Sequence, residues 1–570
     1  MILDSNEGNS EKNEIQNLQE KLEATRNLGK GVSRSSMGAV DPSSNAIHLK
    51  GSAHTISVSM VTAVPVYLFP SRMKLLLSVN QMSMRTPPSL QHLAIQSLLS
   101  NQSLSISALE DLPAVLFPLL FMEIYKQGYT EMLKAMVQAW PLPCLPLGDL
   151  VESPDLETFK AVLDGIDLLL AKRERPNRWK LQVLDLRNDH PNIWIQGYHS
   201  MAQISYTDVL TDRPTESCGS MMTEEQPLMV IRDLTIKDGT QNALQAHLLQ
   251  WARKTKERVQ LCSRKLRILS GSVSKIQKAL GVVRLDSIQE LVVSEFWLPG
   301  TLRIFTLYLG HMKNLLILTC SSMWTDIPHS HENSQYPWII GGYLGRLKHL
   351  QELHVHNILF IATIPTILRS LPPLKMLSLS SCALLETDLR FLSQYACTRQ
   401  LKHLHLRTLP MKRAEPLRAF LEHVACTLET LALEECYITD AQLSAILPTL
   451  SQCSQLRFFS FYGNCISMAT LQNLLSHMAR LGHLRRGFYP APLECYHPED
   501  WYLENFDPGR FAEVGAALVQ TLRDVGTNQK VQICTSFCHR HNTCQLYSLT
   551  LDGTWVVTEE DLTGLSALPV

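Results

Sequence analysis

The chain has 570 residues, with 52 Lys and Arg against 53 Asp and Glu and a formal net charge of −1. A balance this close excludes a broadly basic nucleic-acid binder and provides no field toward an anionic membrane. The 14 cysteines are scattered along a long chain, the usage of a reduced protein that buries Cys as a small hydrophobe rather than of a disulfide framework.

In chain order, residues 1–81 carry Ser, Asn, Gly, Glu and Lys with little periodic hydrophobicity and read as a disordered extension, with one short helix over Ile15 to Ala24. The polar, acidic start is unlike a signal peptide. The apolar run Val58 to Val79 is broken by Pro65, Pro70, Arg72 and Lys74, so it does not read as a membrane span. Order is expected from Pro87-Pro88-Ser89, where Ser89 is a natural N-cap and Leu90, Leu93, Ala94, Leu98 and Leu99 recur at helical spacing. Apolar segments over Leu109 to Tyr125, Thr130 to Trp140 and Asp155 to Ala171 complete four short helices, punctuated by prolines. A basic linker, Lys172 to Lys180, leads to the first strand, Leu181-Leu184-Leu186.

From there strand and helix alternate. Leu228 to Ile236 reads as a strand after a long loop over 198–226, Asn242 to Arg258 as a helix, and strands follow at Ile288-Leu291-Val293 and Met312-Leu315-Ile317. Trp324 to Trp338, rich in Pro, His, Ser and Asn, reads as a loop insertion. Next come five in-phase copies of L-x-x-L-x-L-x-x-N/C-x-L, starting at Leu350, Leu374, Leu401, Leu428 and Leu456. Those at 374, 428 and 456 are complete through Cys382, Cys436 and Asn464. A period of 24 to 28 residues is one strand plus one helix, the leucine-rich repeat. Thr439 or Asp440 caps the helix through Leu450. Beyond Leu493 the rhythm stops; a helix over Arg510 to Asp524 and strands at Lys530 to Cys534 and Leu546 to Leu551 read as a cap over the last repeat. The fold class is therefore α/β: a leucine-rich-repeat solenoid, a ribonuclease-inhibitor-like horseshoe with an N-terminal helical domain and a C-terminal cap. Its parts are 1–81 extension, 82–178 helical domain, 179–492 horseshoe and 493–570 cap and tail.

In the repeat template, positions three, five and seven point opposite to the buried leucines. They place Glu352, His354, His356, His403, His405, Arg407, Glu434, Phe458 and Tyr462 on one sheet face, a mixed surface suited to protein recognition. A histidine metal site is not expected, because the two His pairs flank an intervening strand and stand roughly 10 Å apart. Cys534, Cys538, His541 and Cys544 are the one metal-like group; they offer four zinc ligands, but at a spacing foreign to paired knuckles, and ordinary reduced cysteines are the favoured reading. Neither a metal nor a cofactor is expected. There is no P-loop, no G-x-G-x-x-G after a strand, no H-E-x-x-H and no G-x-S-x-G, so the chain reads as a binding protein and not an enzyme.

Longer strings carry a resemblance. Ser89-Leu-Gln-His-Leu-Ala-Ile-Gln-Ser-Leu-Leu99, Leu112-Pro-Ala-Val-Leu-Phe-Pro-Leu-Leu-Phe121 and Leu133-Lys-Ala-Met-Val-Gln-Ala-Trp-Pro-Leu-Pro-Cys-Leu-Pro-Leu-Gly148 resemble the N-terminal domain of the PRAME family. Asp164-Gly-Ile-Asp167, Arg178-Trp-Lys-Leu-Gln-Val-Leu184, Tyr489-Pro-Ala-Pro-Leu-Glu494 and Gly509-Arg-Phe-Ala512 continue it, over about Met82 to Leu551. The resemblance implies a substrate-recognition subunit of a cullin-2 RING ubiquitin ligase, with the repeat face holding a protein target for proteasomal degradation. It implies elongin B/C docking through Ser89, Leu90, Ala94 and Leu98, with Ala94 where Cys is usual. Cullin-2 docking, with its RING subunit, falls to Leu112, Pro113, Leu116 and Leu120. It further implies effects on proliferation, differentiation and apoptosis, in the cytoplasm and the nucleus. The residues alone leave two other readings of these helices open: they pack on the domain's own core, or Leu112-Pro-x₂-Leu116-Phe117 is an F-box. An alternative function is a scaffold or transcriptional repressor acting through nuclear-receptor or chromatin partners, for which Leu116 to Leu120 and Leu471 to Leu475 carry the L-x-x-L-L string, though the latter reads as repeat core. A ribonuclease-inhibitor-like binder rests on fold analogy, and the basic linker is a solvated segment or an import signal.

Overall fold

The computed structural model describes residues 90–100, 106–151, 155–172, 178–190, 192–204, 227–239, 242–294, 299–321, 341–357, 363–382, 384, 386–497, 503, 505–526, 529–535 and 544–558. The chain divides into two compact units, residues 21–102 and residues 103–570 with the first 20. In the former, the described residues are one helix, α1 (Leu90–Ser100).

The larger unit begins with a turn at 106–112 and a 3₁₀ turn, Ala114–Leu116, that runs into α2 (Phe117–Gln127). Pro118 sits in the first turn, where its missing N–H costs nothing, and Gly128 closes the helix at φ 72°. α3 (Thr130–Gln138) follows, then a short strand β1 (Cys144–Pro146), then α4 (Leu156–Ala171), capped by the Asp155 carboxylate on the Glu157 and Thr158 N–H groups. β1 corrects the expectation that the proline run merely stops a helix. The run is extended because prolines hold their neighbours there, and Leu145 is buried. Two glycines make this packing possible. A Cβ on Gly165 would stand 2.9 Å from the Lys134 backbone, so α3 and α4 can pack this closely because that position is glycine. A Cβ on Gly148 would overlap the Arg187 carbonyl at 1.7 Å. Trp140 is fully buried, donates its N–H to the Cys144 carbonyl (2.8 Å), and meets Phe121 at 5.3 Å and Trp194 at 6.4 Å.

Two sheets follow. The smaller is parallel and contains β1, β2 (Val183–Asp185), β3 (Leu228–Ile231), β5 (Val259–Cys262) and β7 (Val283–Arg284). The larger has thirteen strands among the described residues and starts at β4 (Leu234–Lys237), β6 (Lys265–Leu269) and β8 (Glu290–Val293). The strand read as Leu228 to Ile236 is thus two strands in different sheets. Leu181 to Leu186 belongs to the smaller sheet and does not begin the large one. The break at Arg232-Asp233 is held by the Asp233 carboxylate, which accepts the Lys265 N–H at 3.0 Å. The smaller sheet is buried on both faces: Leu184, Val230 and Leu261 on one, and Cys144, Val183, Met229, Ile231 and Cys262 on the other.

The large sheet continues through α5 (Ala243–Lys254), α6 (Val273–Leu280) and α7 (Pro299–Tyr308) between its early strands, then β9 (Ile317–Ser321), β10 (Glu352–His356), α8 (Thr363–Arg369), β11 (Met376–Ser380), α9 (Glu386–Leu392) and β12 (His403–Arg407). α10 (Glu415–Val424), β13 (Thr430–Glu434), α11 (Asp440–Leu450), β14 (Phe458–Ser460), α12 (Met468–Met478) and β15 (Arg486–Pro490) complete the run of strand–helix units. From β4 to β15 neighbouring strands pair in parallel and in register, so equivalent template positions stand side by side. The strand leucines of the template are fully buried, while Leu384 at the template's last position is half-buried.

Template position eight has a physical signature. Asn357, Ser381, Thr408, Glu435 and Gly463 all lie in the left-handed region, at φ 52–72°. The first four donate their N–H to the position-seven carbonyl of the next repeat, at 2.9–3.0 Å. The left-handed residue turns the chain out of the sheet without losing that bond. Position nine then secures the turn: buried Asn464 accepts the Cys436 N–H (3.2 Å) and Ile438 N–H (3.0 Å) and donates to the Leu433 (2.7 Å) and Phe461 (2.8 Å) carbonyls. Cys382 and Cys436 do the donating half of that job with thiols, at 3.3–3.6 Å.

The C-terminal part extends the sheet. After α13 (Pro508–Val525), β16 (Lys530–Cys534) pairs in parallel with β15, and only then do β17 (Leu546–Leu549) and β18 (Trp555–Thr558) turn antiparallel. Phe511, Tyr547 and Trp555 bind α13 to these strands, the first two rings 4.5 Å apart. The expected extension at 1–81, the 205–226 part of the long loop and the insertion at 324–338 lie outside the described residues.

Candidate functional site

The face of the large sheet opposite the template leucines carries three rows of buried and half-buried side chains. Strand pairing sets His354, Ser378, His405, Ala432 and Ser460 side by side in the middle row. His356, Ser380, Arg407 and Glu434 form the next row, and Glu352, Met376, His403, Thr430 and Phe458 the first. Eight of the nine residues expected on the face therefore stand in these rows; Tyr462 lies beyond the end of β14. The two His pairs do flank β11, which fits the expected two-strand separation. Among the described residues no group of three or more His, Cys, Asp or Glu is arranged to hold a metal ion.

The face is uneven. Glu352 lies 3.6 Å from His354, whose hydrogen bond holds that carboxyl below its usual range. His403 is buried rather than open, and its imidazole is pushed down by burial. His405 is pushed down to about 4, first by burial and then by its neighbours His354 and His403. Toward the C-terminal end Arg407 binds Glu435 (3.0 Å) and lies 6.0 Å from the Tyr462 ring. Glu434 accepts Ser460 Oγ at 2.6 Å, yet burial raises its pKa. Tyr462 is a correction: it is buried in an apolar cluster with Phe488, Cys534 and Leu546, with Phe458 against it. Position alone put Tyr462 on the face. The strands beyond it bring large apolar side chains to the same face, which close over its ring.

The docking segments divide likewise. Ser89 lies outside the described residues. Leu90, Ala94 and Leu98 follow at successive turns of α1; Ala94 is exposed and Leu98 half-buried, while Ile95 is buried. In the second segment Pro113 is exposed and Leu112 and Leu116 are half-buried. Leu120 is fully buried, which corrects its place in a docking surface. α2 turns Phe117, Leu120, Phe121 and Ile124 inward, as residues three and four apart must on one helix face. Besides Pro113, the segment leaves Val115 uncovered, at 43 % exposure, a residue absent from the expected docking set. Its signal was the 3₁₀ turn before α2, which rotates the apolar stripe. Arg178 of the basic linker donates to the Leu109, Glu110 and Leu112 carbonyls and lies 4.9 Å over the Phe117 ring, so it fastens this turn.

Of the L-x-x-L-L strings, Leu471, Leu474 and Leu475 are buried as repeat core, as expected, and so is Leu120 of the other. Cys538 and His541 lie outside the described residues. Cys534 is buried and its thiol pushed well up by burial.

Several residues that carried the resemblance hold the fold together. Gly148 and Gly165 allow close approach, Asp167 accepts the Trp251 N–H at 2.8 Å, Tyr489 donates to Gln529 at 3.1 Å, and Glu494 accepts the Met468 N–H at 2.9 Å. Comparison with known proteins agrees with them. The PRAME N-terminal domain model matches residues 87–194 and the PRAME C-terminal domain model residues 228–553. PRAME family member 12 of Homo sapiens is 43% identical over 468 residues, covering 80% of this chain and 95% of that protein. Human PRAME family member 8 is 43% identical over 468 residues (80% and 97% covered), and human member 20 is 40% identical over 476 residues (83% and 99%). A solved complex of Rad7 and Elc1 in yeast aligns over 71% of this chain and 93% of its own at 12% identity and a TM-score of 0.36, too low to carry an argument. With both domain models matched in order and relatives covered almost end to end, the chain belongs to the PRAME family.

Proposed function

We infer that this protein is the substrate-recognition subunit of a cullin-2 RING ubiquitin ligase: a leucine-rich-repeat horseshoe that holds a protein target on the sheet face opposite the template leucines, tethered to elongin B/C and cullin-2 by its N-terminal segments, in the cytoplasm and nucleus. Family membership supports the reading. So does one observation on the docking segments. Both leave apolar side chains uncovered, Leu93 at 46 % and Val115 at 43 %, where helices serving only their own core would turn polar residues outward. An amphipathic helix laid in a partner's groove needs such residues. In this reading Ser89, Leu90, Ala94 and Leu98 face elongin, and Leu112, Pro113, Leu116 and Val115 face the cullin.

The test is capture of elongin B/C and cullin-2 by the full-length chain, and by a Leu90→Asp, Val115→Asp double variant whose thermal unfolding matches the parent. Capture by the parent and its loss in the variant is the expected result. No capture, or capture the double variant leaves intact, refutes the assignment. The nuclear-receptor reading gains nothing from the structure, because the leucines of both L-x-x-L-L strings that would enter a receptor groove include buried ones.

A further inference from the structure

The middle of this face has a trough between imidazole and guanidinium side chains. His354 and His356 on β10 and His405 and Arg407 on β12 stand on either side of β11, which carries only Ser378 and Ser380 at the paired positions. Side chains of two heavy atoms therefore lie between walls of imidazole and guanidinium, about 10 Å apart. Within the trough His405 Nε2 is shut off from water and has no hydrogen-bond partner among the described residues. A buried polar atom in that condition costs free energy until something bonds to it.

The charged neighbours point to what is missing. Those acting on His405 are His354 and His403; those acting on His356 are His354 and Arg407. Every one of them is a cation when charged. Among the described residues the carboxylates of this face already have partners, none of them His405 or His356: Glu352 pairs with His354 of the wall, within the field of His403 and Lys375; Glu435 pairs with Arg407 of the wall; Glu429 pairs with Lys402 at 2.7 Å; Glu434 accepts from Ser460. We propose that this trough receives an acidic segment of the protein target, whose carboxylate is bound over the serines of β11 by His356 and by His405, a half-buried ring that turns Nε2 out to meet it. The proposal rests on this face being the target-recognition surface, and not on assembly with a ligase.

Its consequence is linkage to protons. Burial and like charge hold both imidazoles below their usual range in the free protein. A carboxylate placed against them raises their affinity for protons, so binding takes up protons. Affinity therefore rises as pH falls, by about tenfold between about pH 7.5 and 5.5 for one imidazole restored to its ordinary value.

The experiment is selection of displayed random peptides on the full chain at about pH 6, with elongin B/C capture measured separately on the same preparation. Acidic peptides should be enriched, should bind more tightly as the pH is lowered, and should be lost on His405→Leu and on His356→Glu, which supplies the anion from within. His356 is only half-buried, so its variant tests the idea should His405→Leu fail to fold. Enrichment of basic or purely apolar peptides overturns the proposal, as does no enrichment over a control protein. Acidic peptides that survive both variants, or whose affinity does not change with pH, overturn it too. Loss of elongin capture alone leaves the trough intact and strikes only the ligase assignment.

Discussion

Asn464→Ala should be among the most damaging single substitutions in the repeats, out of proportion to its size. The amide is 1% exposed and makes four hydrogen bonds, two accepted from the Cys436 and Ile438 N–H groups and two donated to the Leu433 and Phe461 carbonyls. Alanine strands two buried N–H donors outright. At about 1–3 kcal/mol for each, with a smaller amount for the two carbonyls, the loss is about 3–6 kcal/mol. Cys436→Ala gives the matched control one repeat earlier. Its thiol only donates, at 3.3–3.4 Å, so about 1 kcal/mol is expected. Asn464→Cys falls between them, because a thiol can donate to a carbonyl but cannot accept from two N–H groups at once. Urea unfolding of the full chain measures the order. Amide exchange at Cys436 and Ile438 localises it, which matters because repeat arrays open in parts. A loss for Asn464→Ala within about 1 kcal/mol of that for Cys436→Ala would refute the reasoning, since it would mean that water or a backbone shift satisfies the stranded groups.

Two further outcomes follow from the same coordinates. Gly148→Ala puts a Cβ 1.7 Å from the Arg187 carbonyl oxygen; backbone on both sides must move, so a loss above about 3 kcal/mol or failure to fold is expected, while Gly482→Ala, with nothing within 4 Å, should keep the parent melting temperature. Acid should destabilise the protein in a window set by histidine. His405 titrates at about 4 when folded and at about 6.5 when unfolded, so the unfolded chain binds the extra proton and stability falls as pH drops from about 6.5 through 4, by at most about 3 kcal/mol. His356 and His403, also pushed down by burial, add in the same direction. Glu352 and Glu429, held below the usual carboxylate range by partners, lose their contribution only at still lower pH. Melting temperature against pH for the parent and His405→Leu checks this; an unchanged slope between about pH 6.5 and 4 in the variant would count against it.

Much of the molecule was legible in its residues. The leucines of the repeats fixed strands, period and buried face, because a period-two strand beside a helix leaves one way to bury both. Conserving that period, β10 to β14 start where the template places them. The family strings were legible too, and for a physical reason: Gly148, Gly165, Trp140 and Asp167 solve packing problems that admit few other residues. Those strings say little about what the face binds. Beyond this, long-range placement decided. That Leu228 to Ile236 splits between two sheets depends on Asp233 meeting Lys265, thirty-two positions on. That Leu120 is core while Val115 is surface depends on how a 3₁₀ turn rotates α2. That Tyr462 is covered, and that the charged groups acting on His405 are His354 and His403, depends on the neighbours brought by strands on either side. Sequence periodicity assigns a side chain to a face; only the lateral register of the sheet decides what that face holds beside it.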